Sequence, residues 1–441
     1  MKHSKKIGLT LVLLCALMCG SLSSCKWFKS GGDKKMIITL GFSMPDILRS
    51  LSNNPTDSML NKALLEAELL QEKDSADFVL LFESVWNKTS PNGRLASVFS
   101  VLGKQQMSFN ASNSEVIQQL NKAVDDIIDG SIKVIETRLS KLGCEVVSIQ
   151  KAKNRNRFTL ELADVADPQQ VMKLLQYDGK LEFWETYEYK DVYSYFDIAD
   201  KKAKALMDLS DSNASKVTVK GEESDMKGSD RDNGKKSYAA YYAEHPLMAI
   251  LQPALLQDEK GNYFPQRGPV VGYCLIADTA QLNKLLRMPQ IAQVFPPELH
   301  FAWSQQPLDK NKPILSLIAL KAKHEGKPAL DVADKIIDAR QDFGYNSQIE
   351  ITIKMNAEGA KIWRDVTANN IGKAIAMVLD DYVYSYPTVQ GEIPNGNSSI
   401  TGNFTESEAK DLATILKAGR LPARIIIMAV EARDKDGNIM K

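Results

Sequence analysis

The sequence has no excess of either charge and only a few cysteines and histidines. Its 441 residues contain 55 Lys and Arg against 55 Asp and Glu, so the formal net charge is zero. This balance excludes a strongly basic nucleic-acid-binding protein, and five cysteines are too few for a disulfide-rich miniature scaffold. The apolar fraction of 44% and the charged fraction of 25% are ordinary for globular protein. The length alone predicts about three domains.

Long apolar segments are also scarce, and the longest lies at the N-terminus. Apolar residues fill most of positions 7–19, after a start that is rich in lysine. This run is shorter than the roughly 20 residues that a helix needs to span a bilayer, and small residues follow it. The pattern is typical of a secretory signal peptide. No later segment is apolar over about 18 consecutive residues, so the sequence predicts no further membrane-spanning helix.

A motif for lipid attachment follows the signal. Residues 22–25 are Leu-Ser-Ser-Cys, which resembles a bacterial lipobox, in which cleavage occurs just before a cysteine whose thiol takes the lipid. We therefore predict a signal peptide over residues 1–24, a lipidated Cys25 and a tether over residues 25–35. An uncleaved membrane anchor with a chance cysteine is the alternative. We therefore expect the lipid to hold the chain in the bacterial cell envelope, where it faces the periplasm, on either the inner or the outer membrane.

This processing leaves few thiols in the mature chain. Cys15 and Cys19 would leave with the signal, which leaves Cys144 and Cys274 unmodified. Both lie in apolar, strand-like sequence. An oxidising compartment would permit a disulfide between them, but two buried free thiols are the simpler prediction.

Sequence motifs for catalysis and metal binding are missing. Three histidines remain after the signal, His245, His300 and His324, and none lies in a metal-binding motif. The sequence contains no nucleophile elbow, β-lactamase set or phosphate-binding loop. We therefore predict a binding or structural module with no cofactor, and not an enzyme.

The first half of the mature chain predicts a ferredoxin-like base with a helical insertion, over residues 36–190. Its elements follow the order β-α-β-β-α-β. The long helix begins with the capping-box pair Ser112 and Glu115. The predicted strands are residues 36–44, 144–151, 157–162 and 181–187, and the predicted helices are residues 57–72 and 75–87 in the insertion, then 112–142 and 167–175.

The second half predicts an irregular insert and a second α+β subdomain. The insert covers residues 191–310, with a polar loop at 207–237 and a short helix at 278–287. The head subdomain covers residues 311–430, and a polar tail covers 431–441. The predicted head strands are residues 314–320, 348–355, 374–379, 382–386 and 425–430, and its predicted helices are 332–340, a helix from Asn356 to about 368, and one that begins at Thr405 and Glu408 and ends at Gly419. The overall fold class is therefore α+β.

Four ordered motifs in the head resemble motifs of a known family. They are residues 358–360 (Glu-Gly-Ala), 369–380 (Asn-Asn-Ile-Gly-Lys-Ala-Ile-Ala-Met-Val-Leu-Asp), 400–405 (Ile-Thr-Gly-Asn-Phe-Thr) followed by Glu408 and Ala409, and 416–423 (Leu-Lys-Ala-Gly-Arg-Leu-Pro-Ala). This series resembles the extracytoplasmic head of SecD, a protein-export subunit. In the base, residues 135–143, 158–162, 167–168 and 181–187 are also similar to SecD. The resemblance covers about 36–430 and is weakest in 190–310.

The sequence also departs from that family. SecD proteins carry a Gly-Leu-Asp-Leu…Gly-Gly motif early in the base, whereas residues 38–44 are Ile-Thr-Leu-Gly-Phe-Ser-Met. Family members continue into membrane helices with charged residues linked to proton flow, and this sequence shows none before Lys441. We therefore expect a SecD-like ectodomain without a proton path of its own.

The resemblance implies a role in Sec-dependent protein export. The expected partners are unfolded preprotein and Sec translocon subunits of the SecF or SecY type, with no nucleic acid. The residues that contact peptide are unknown from the sequence; Phe404, Tyr384 and Tyr386 are candidates, with core packing as the alternative role of each. A second hypothesis, from the departures, is a scaffold lipoprotein of envelope assembly that has no part in export.

Overall fold

A computed structural model describes residues 35–71, 73, 76–102, 105–163, 165–211, 238–309, 312–323, 326–332, 334–344 and 347–433. The proposed signal peptide, Cys25 and nearly all of the tether lie outside the described residues. So do His324, residues 212–237 of the polar loop and residues 434–441 of the tail. The predictions made for these segments therefore stay predictions.

Helices and strands alternate along the described chain, which confirms the α+β class. The helices are α1 (Met44–Leu51), α2 (Ser58–Gln71), α3 (Phe78–Thr89), α4 (Leu95–Val98), α5 (Asn113–Lys141), α6 (Pro168–Gln176), α7 (Tyr189–Asp211), α8 (Tyr238–Glu244), α9 (Thr279–Leu286), α10 (Pro289–Ala292), α11 (Ala357–Asn369) and α12 (Glu406–Ala418). The strands are β1 (Lys35–Phe42), β2 (Val101–Leu102), β3 (Gln105–Gln106), β4 (Glu145–Lys151), β5 (Arg157–Ala163), β6 (Leu181–Thr186), β7 (Gln252–Pro253), β8 (Leu255–Gln257), β9 (Tyr263–Pro265), β10 (Val270–Leu275), β11 (Leu299–Ser304), β12 (Ile314–Lys321), β13 (Leu330–Asp331), β14 (Ile336–Phe343), β15 (Ile349–Met355), β16 (Ile375–Leu379), β17 (Tyr382–Ser385), β18 (Asn397–Thr401) and β19 (Ile425–Arg433).

The described residues form two compact units. Unit 1 contains the residues up to Gly179 and those from Ala418 onward, and unit 2 contains Lys180–Lys417. Unit 1 is therefore built from two separate stretches of chain. The chain leaves unit 1 once, after α6, and returns to it once, at Ala418, the last residue of α12.

Unit 1 has a four-stranded antiparallel sheet in the order β19-β1-β5-β4. The predicted β-α-β-β-α-β order is present, but the predicted fourth strand is wrong. Residues 181–187 do form a strand, β6, yet β6 belongs to a sheet of unit 2. The fourth position is filled by β19, which pairs along the whole of β1 from Lys35↔Arg433 to Phe42↔Ile425.

The core of unit 1 lies between this sheet and its helices. On β1, Met36, Ile38 and Leu40 are buried, which is the alternation expected of a strand with one covered face. Helix α5 begins with the predicted capping box, because Ser112 and Glu115 each accept a hydrogen bond from the other's backbone. The segment between β1 and α5 forms the predicted helical insertion, as α1–α4 with the small β2–β3 hairpin.

The largest sheet of unit 2 closes on itself. Its order is β13-β6-β16-β17-β11-β12-β10-β7, and β12 also pairs with β6. That extra pairing joins Leu320 to Thr186 and Lys321 to Glu185. The strands β6, β16, β17, β11 and β12 therefore form a closed ring, to which the other strands add at the edges.

A second sheet of unit 2 has three antiparallel strands in the order β14-β15-β18. The predicted helix over residues 332–340 is wrong, because β14 occupies most of it. The apolar spacing of this stretch fits a helix, but Ala339 and Gln341 instead pair with Ile353 and Ile351 of β15. The strand pairing overrides the local pattern.

Local signals in the head are otherwise confirmed. Asn356 caps α11 through Gly359 N–H, and Thr405 and Glu408 form the second capping box. Asp380 and Asp381 both have positive φ, at 51° and 68°, in the tight turn between β16 and β17.

The segment 191–310 carries more regular structure than predicted. Helix α7 extends to Asp211, so the first residues of the predicted loop are helical. Strands β10 and β11 join the closed sheet, and the short helix near 278–287 is confirmed as α9. The aromatic composition has a packing reason, since Phe196, Phe295 and Phe301 form one cluster with ring centroids 5.2–5.6 Å apart.

Candidate functional site: a pocket beside strand β18

Two of the three candidate peptide-contacting residues pack against each other. The rings of Tyr384 and Phe404 are stacked with centroids 5.9 Å apart, and Phe404 is 8% exposed. Gly402 makes room for this ring, because a Cβ at that position would lie 2.8 Å from Phe404 Cε2. The glycine of the Gly-Asn-Phe-Thr motif is therefore a packing requirement. Tyr386 differs, since it is 40% exposed and directly precedes Pro387 at the edge of a pocket.

That pocket lies within unit 2 and has a volume of about 520 Å³. Helix α11 and strand β16 contribute apolar side chains to its lining, while β15, β18 and the segment 387–393 contribute mainly hydroxyl and amide groups. The lining residues are Thr352, Trp363, Thr367, Ile375, Met377, Pro387, Thr388, Val389, Gln390, Gly391, Glu392, Ile393, Asn397, Ser398 and Ser399. Glu392 is the charged residue in this set.

Trp363 forms the main aromatic surface of the pocket. Its ring stacks on Phe183 of β6 with centroids 4.4 Å apart, and the side chain is 2% exposed. Among the described residues, its indole Nε1 has no hydrogen-bond partner. The stacking and the burial favour one orientation of the ring in this wall of the pocket.

Thr367 holds the segment 387–393 against helix α11. Its hydroxyl donates to the carbonyl of Trp363 at 2.8 Å and accepts from Ile393 N–H at 3.0 Å. The other end of the segment is held by backbone bonds. Val389 N–H donates to Lys373 carbonyl oxygen at 3.0 Å, and Ile375 N–H donates to the Pro387 carbonyl at 3.1 Å. The pocket wall is therefore tied at both ends.

The Glu-Gly-Ala motif lies in the first turn of α11 and packs this helix against β15. Gly359 is required because a Cβ there would lie 3.0 Å from the Cβ atoms of Met355 and Lys335. A hydrogen bond to Asp334, and a weaker effect of one to Glu358, raise the pKa of the Lys335 ammonium. Lys335 Nζ lies 3.1 Å from Glu358 Oε1. The motif thus packs α11 onto β15.

The two cysteines of the described chain are both free and buried. Cys144 lies in unit 1 and Cys274 in unit 2. Burial raises the pKa of each thiol, to about 12 for Cys274, where Asp278 also contributes. The prediction of two buried free thiols is confirmed.

The buried Arg138 was not singled out by the sequence analysis. It lies within the motif at residues 135–143 and is fully buried. Its guanidinium donates to the carbonyl oxygens of Leu174, Tyr177, Asp178 and Gly419. An arginine on the apolar face of a predicted helix is the signal that could have identified it.

Family models match two parts of the chain. Residues 128–188 match the N-terminal P1 domain of protein translocase subunit SecDF, and residues 323–423 match the P1 head subdomain of SecDF. The chain is SecD-like. The second match contains every residue that lines the pocket, whereas the whole segment 191–310 lies outside both matches.

Relatives of the chain are named protein translocase subunit SecD. The SecD of Rhodothermus marinus is 28% identical over 406 residues, which cover 89% of this chain and 60% of the relative. The SecD of Calditerrivibrio nitroreducens is 47% identical over 105 residues, which cover 23% of this chain and 20% of the relative. The chain therefore spans about three fifths of the length of the first relative and about a fifth of the second.

Solved SecDF structures are also similar to the chain. A crystal structure of SecDF in a super-membrane-facing form has a TM-score of 0.38 at 19% identity, covering 70% of this chain and 28% of that one. A structure of SecDF described as a membrane component that enhances protein export has a TM-score of 0.36 at 20% identity, covering 69% and 92%. Within the described part of this SecD-like chain, no helix combines the length and the apolar composition needed to cross a bilayer.

Proposed function

We propose that this SecD-like chain is an extracytoplasmic accessory of Sec-dependent protein export that binds emerging preprotein or Sec partners. The observation that carries the proposal is the pocket beside β18, which lies wholly within the segment that matches the SecDF P1 head. Its lining combines apolar side chains with hydroxyl and amide groups. In a lining of this composition the apolar side chains can bury an apolar group of a ligand, and the polar groups can orient it by hydrogen bonds.

Unfolded preprotein fits this lining better than a folded partner does. An emerging chain exposes apolar side chains and unpaired peptide groups at the same time. The pocket offers Trp363 and Met377 to the former and Thr388 and Ser399 to the latter. The proposal assigns no role in proton flow to the described residues.

The proposal includes a lipid tether at Cys25. Acyl chains contribute about 0.8 kcal/mol for each buried CH₂ group, so a diacylated or triacylated cysteine would hold the chain durably at a membrane. Cys25→Ala should abolish labelling of the chain by a radioactive fatty acid and leave the signal uncleaved. Unchanged processing and labelling of that variant would contradict the tether.

Two measurements test the export role. The full-length chain, solubilised from membranes in mild detergent, should co-purify with Sec channel subunits, whereas an unrelated lipoprotein should not. A secretory chain arrested in the channel should crosslink to it above that same control. Absence of both signals would reject the export role and favour the scaffold hypothesis, which expects other envelope partners.

A further inference from the structure

Strand β18 presents an unpaired edge to the pocket. Met355 N–H donates to the carbonyl of Gly396 at 3.0 Å, so these two opposite residues are a hydrogen-bonded pair of the ladder between β15 and β18. Because antiparallel pairs alternate, the ladder bonds continue at Ser398 and Ile400. The backbone N–H and C=O groups of Ser399 and Thr401 therefore point away from β15. Within the described residues no strand pairs with that edge.

A second strand-like edge borders the same pocket. Residues 387–389 continue the β16–β17 ladder, with Pro387 bonded to Ile375 and Val389 bonded to Lys373. Thr388 lies opposite Ala374 in an isolated antiparallel bridge. The pairs on either side of it are hydrogen-bonded, and in an antiparallel ladder the pair between them is therefore not hydrogen-bonded. The Thr388 N–H and C=O therefore point away from β16, on the side of this segment that the ladder leaves open. Its carbonyl accepts from the Gln390 side chain, while its N–H has no described partner.

We propose that an extended polypeptide binds between these two edges as an added β-strand, with an apolar side chain in the pocket beside Trp363. The strand would join the three-stranded sheet to the closed sheet of unit 2. The inference rests on the proposed export function, since it names the form in which preprotein would be bound.

The hydrogen-bonding groups of the site define its ligand class. Peptide N–H and C=O groups of any sequence can pair with Ser399, Thr401 and Thr388, so the affinity should depend weakly on sequence. Successive side chains of a strand point to opposite faces, so every second residue would reach the pocket. Glu392 is the charged lining residue, which favours neutral or basic segments over acidic ones. The site therefore takes extended, proline-poor peptides with alternating apolar residues.

Gly391 provides a way to block the site. A Cβ at this lining position would meet no atom within 4 Å, and its φ is not in the left-handed region. Gly391→Trp should therefore be tolerated and should fill the pocket. Glu259→Trp is the matched control, because it adds the same side chain at an exposed position of the β8–β9 turn, outside the pocket lining.

The test uses the full-length chain in lipid nanodiscs and a fluorescein-labelled peptide of alternating Val and Thr residues. Two N-methylated versions of the peptide, one at odd and one at even positions, each remove the donors of one strand edge. Each version should bind about ten-fold more weakly, equivalent to about 1.4 kcal/mol. Gly391→Trp should weaken binding by a similar factor, while Glu259→Trp should bind within about two-fold of the unmodified chain.

Hydrogen exchange locates the contact on the protein. Bound peptide should slow the exchange of the Ser399, Thr401 and Thr388 amides, while the β15 amides report that the sheet stays intact in Gly391→Trp. Full affinity of either methylated peptide, or no slowing at these amides, would overturn strand addition. If peptide binds without these effects and arrested chains still crosslink, the strand-addition proposal is wrong but the export proposal stands. If no peptide binds and no arrested chain crosslinks, the export function falls with it.

Discussion

The guanidinium of Arg138 donates a hydrogen bond to the carbonyl oxygen of Gly419, 281 positions further along the chain, at 3.0 Å. A second bond from the same guanidinium, also 3.0 Å, reaches the carbonyl of Asp178. Leu421 N–H donates to that same Asp178 carbonyl at 2.7 Å. Asp178 lies next to the point where the chain leaves unit 1, and Gly419 lies next to the point where it returns. One buried side chain on α5 therefore fixes both points within unit 1.

Replacing Arg138 should destabilise unit 1 strongly. Arg138→Met keeps most of the side-chain volume but removes the guanidinium donors from buried carbonyl oxygens such as that of Gly419, which costs about 3 kcal/mol. We expect a lower midpoint of urea unfolding for the transition of unit 1. Lys133→Met is the control, since Lys133 is an exposed residue on the same helix and should change stability by less than about 0.5 kcal/mol. Equal midpoints for the two variants would contradict the role of Arg138.

Two glycines near the pocket should respond in opposite ways to alanine. Gly396 has φ of 68°, and a Cβ there would lie 2.7 Å from the Cβ of Ala360. Gly396→Ala should cost about 2 kcal/mol or more, because the backbone strain and the clash add. Gly391→Ala should be neutral or stabilising by up to about 1 kcal/mol, through the unfolded state. Thermal unfolding of both variants checks the contrast, and a stable Gly396→Ala protein would refute this packing.

The acid stability of unit 1 should depend on Glu161. Lys35 Nζ lies 2.7 Å from its carboxylate and Ser148 Oγ donates to it at 3.0 Å, and these bonds lower the pKa of Glu161 below 4.5. A lowered pKa in the folded state stabilises the protein above the unfolded-state pKa, and this contribution is lost as the pH falls through the folded value. Glu161→Gln should therefore reduce the decline of the unfolding free energy below about pH 4.5.

The control for this pH effect is Glu136→Gln, on an exposed position of α5. Urea titrations at a series of pH values compare the two variants with the unmodified chain. Identical slopes for Glu161→Gln and the unmodified chain would show that the Lys35 and Ser148 contacts do not form in solution.

The cysteines should be unreactive in the folded protein. Cys144 and Cys274 are buried, and their raised pKa values keep both as thiols, whereas the thiolate is the reactive form. If Cys25 is lipidated as proposed, the mature folded chain should react with no equivalent of a thiol reagent at pH 8, and with two equivalents after unfolding. Rapid modification of the folded chain, with Cys144→Ser used to assign the site, would contradict this burial.

Local sequence signals predicted local structure well. Ser112 with Glu115, Asn356, and Thr405 with Glu408 each marked a helix start that the structure contains. These signals act over a few residues, so the surrounding fold hardly affects them.

Sheet membership could not be predicted in the same way. The sequences of β6 and β19 both predict strands, and nothing within either strand says which one pairs with β1. The apolar spacing of residues 332–340 fits a helix, and it does not show that Ile353 and Ile351 of β15 lie opposite this stretch. Strand pairing depends on residues far away in sequence.

The candidate site was predicted only in part. The motifs around the pocket were identified from the sequence, but Trp363 and the open edge at Ser399 were not. Both depend on how β15, β18 and segment 387–393 come together, which no single motif contains. Of the three aromatic candidates, Phe404 is buried and stacked on Tyr384, while Tyr386 lies beside the pocket.

Site-specific photocrosslinking in living cells tests the central claim most directly. A benzophenone amino acid at Thr388, an exposed residue of the pocket wall, is compared with the same probe at Glu259, an exposed residue of the β8–β9 turn. With a secretory chain arrested in the Sec channel, we predict adducts to that chain from position 388 well above those from 259. Equal or absent adducts at the two positions, with both variants present in the membrane at normal levels, would contradict the account.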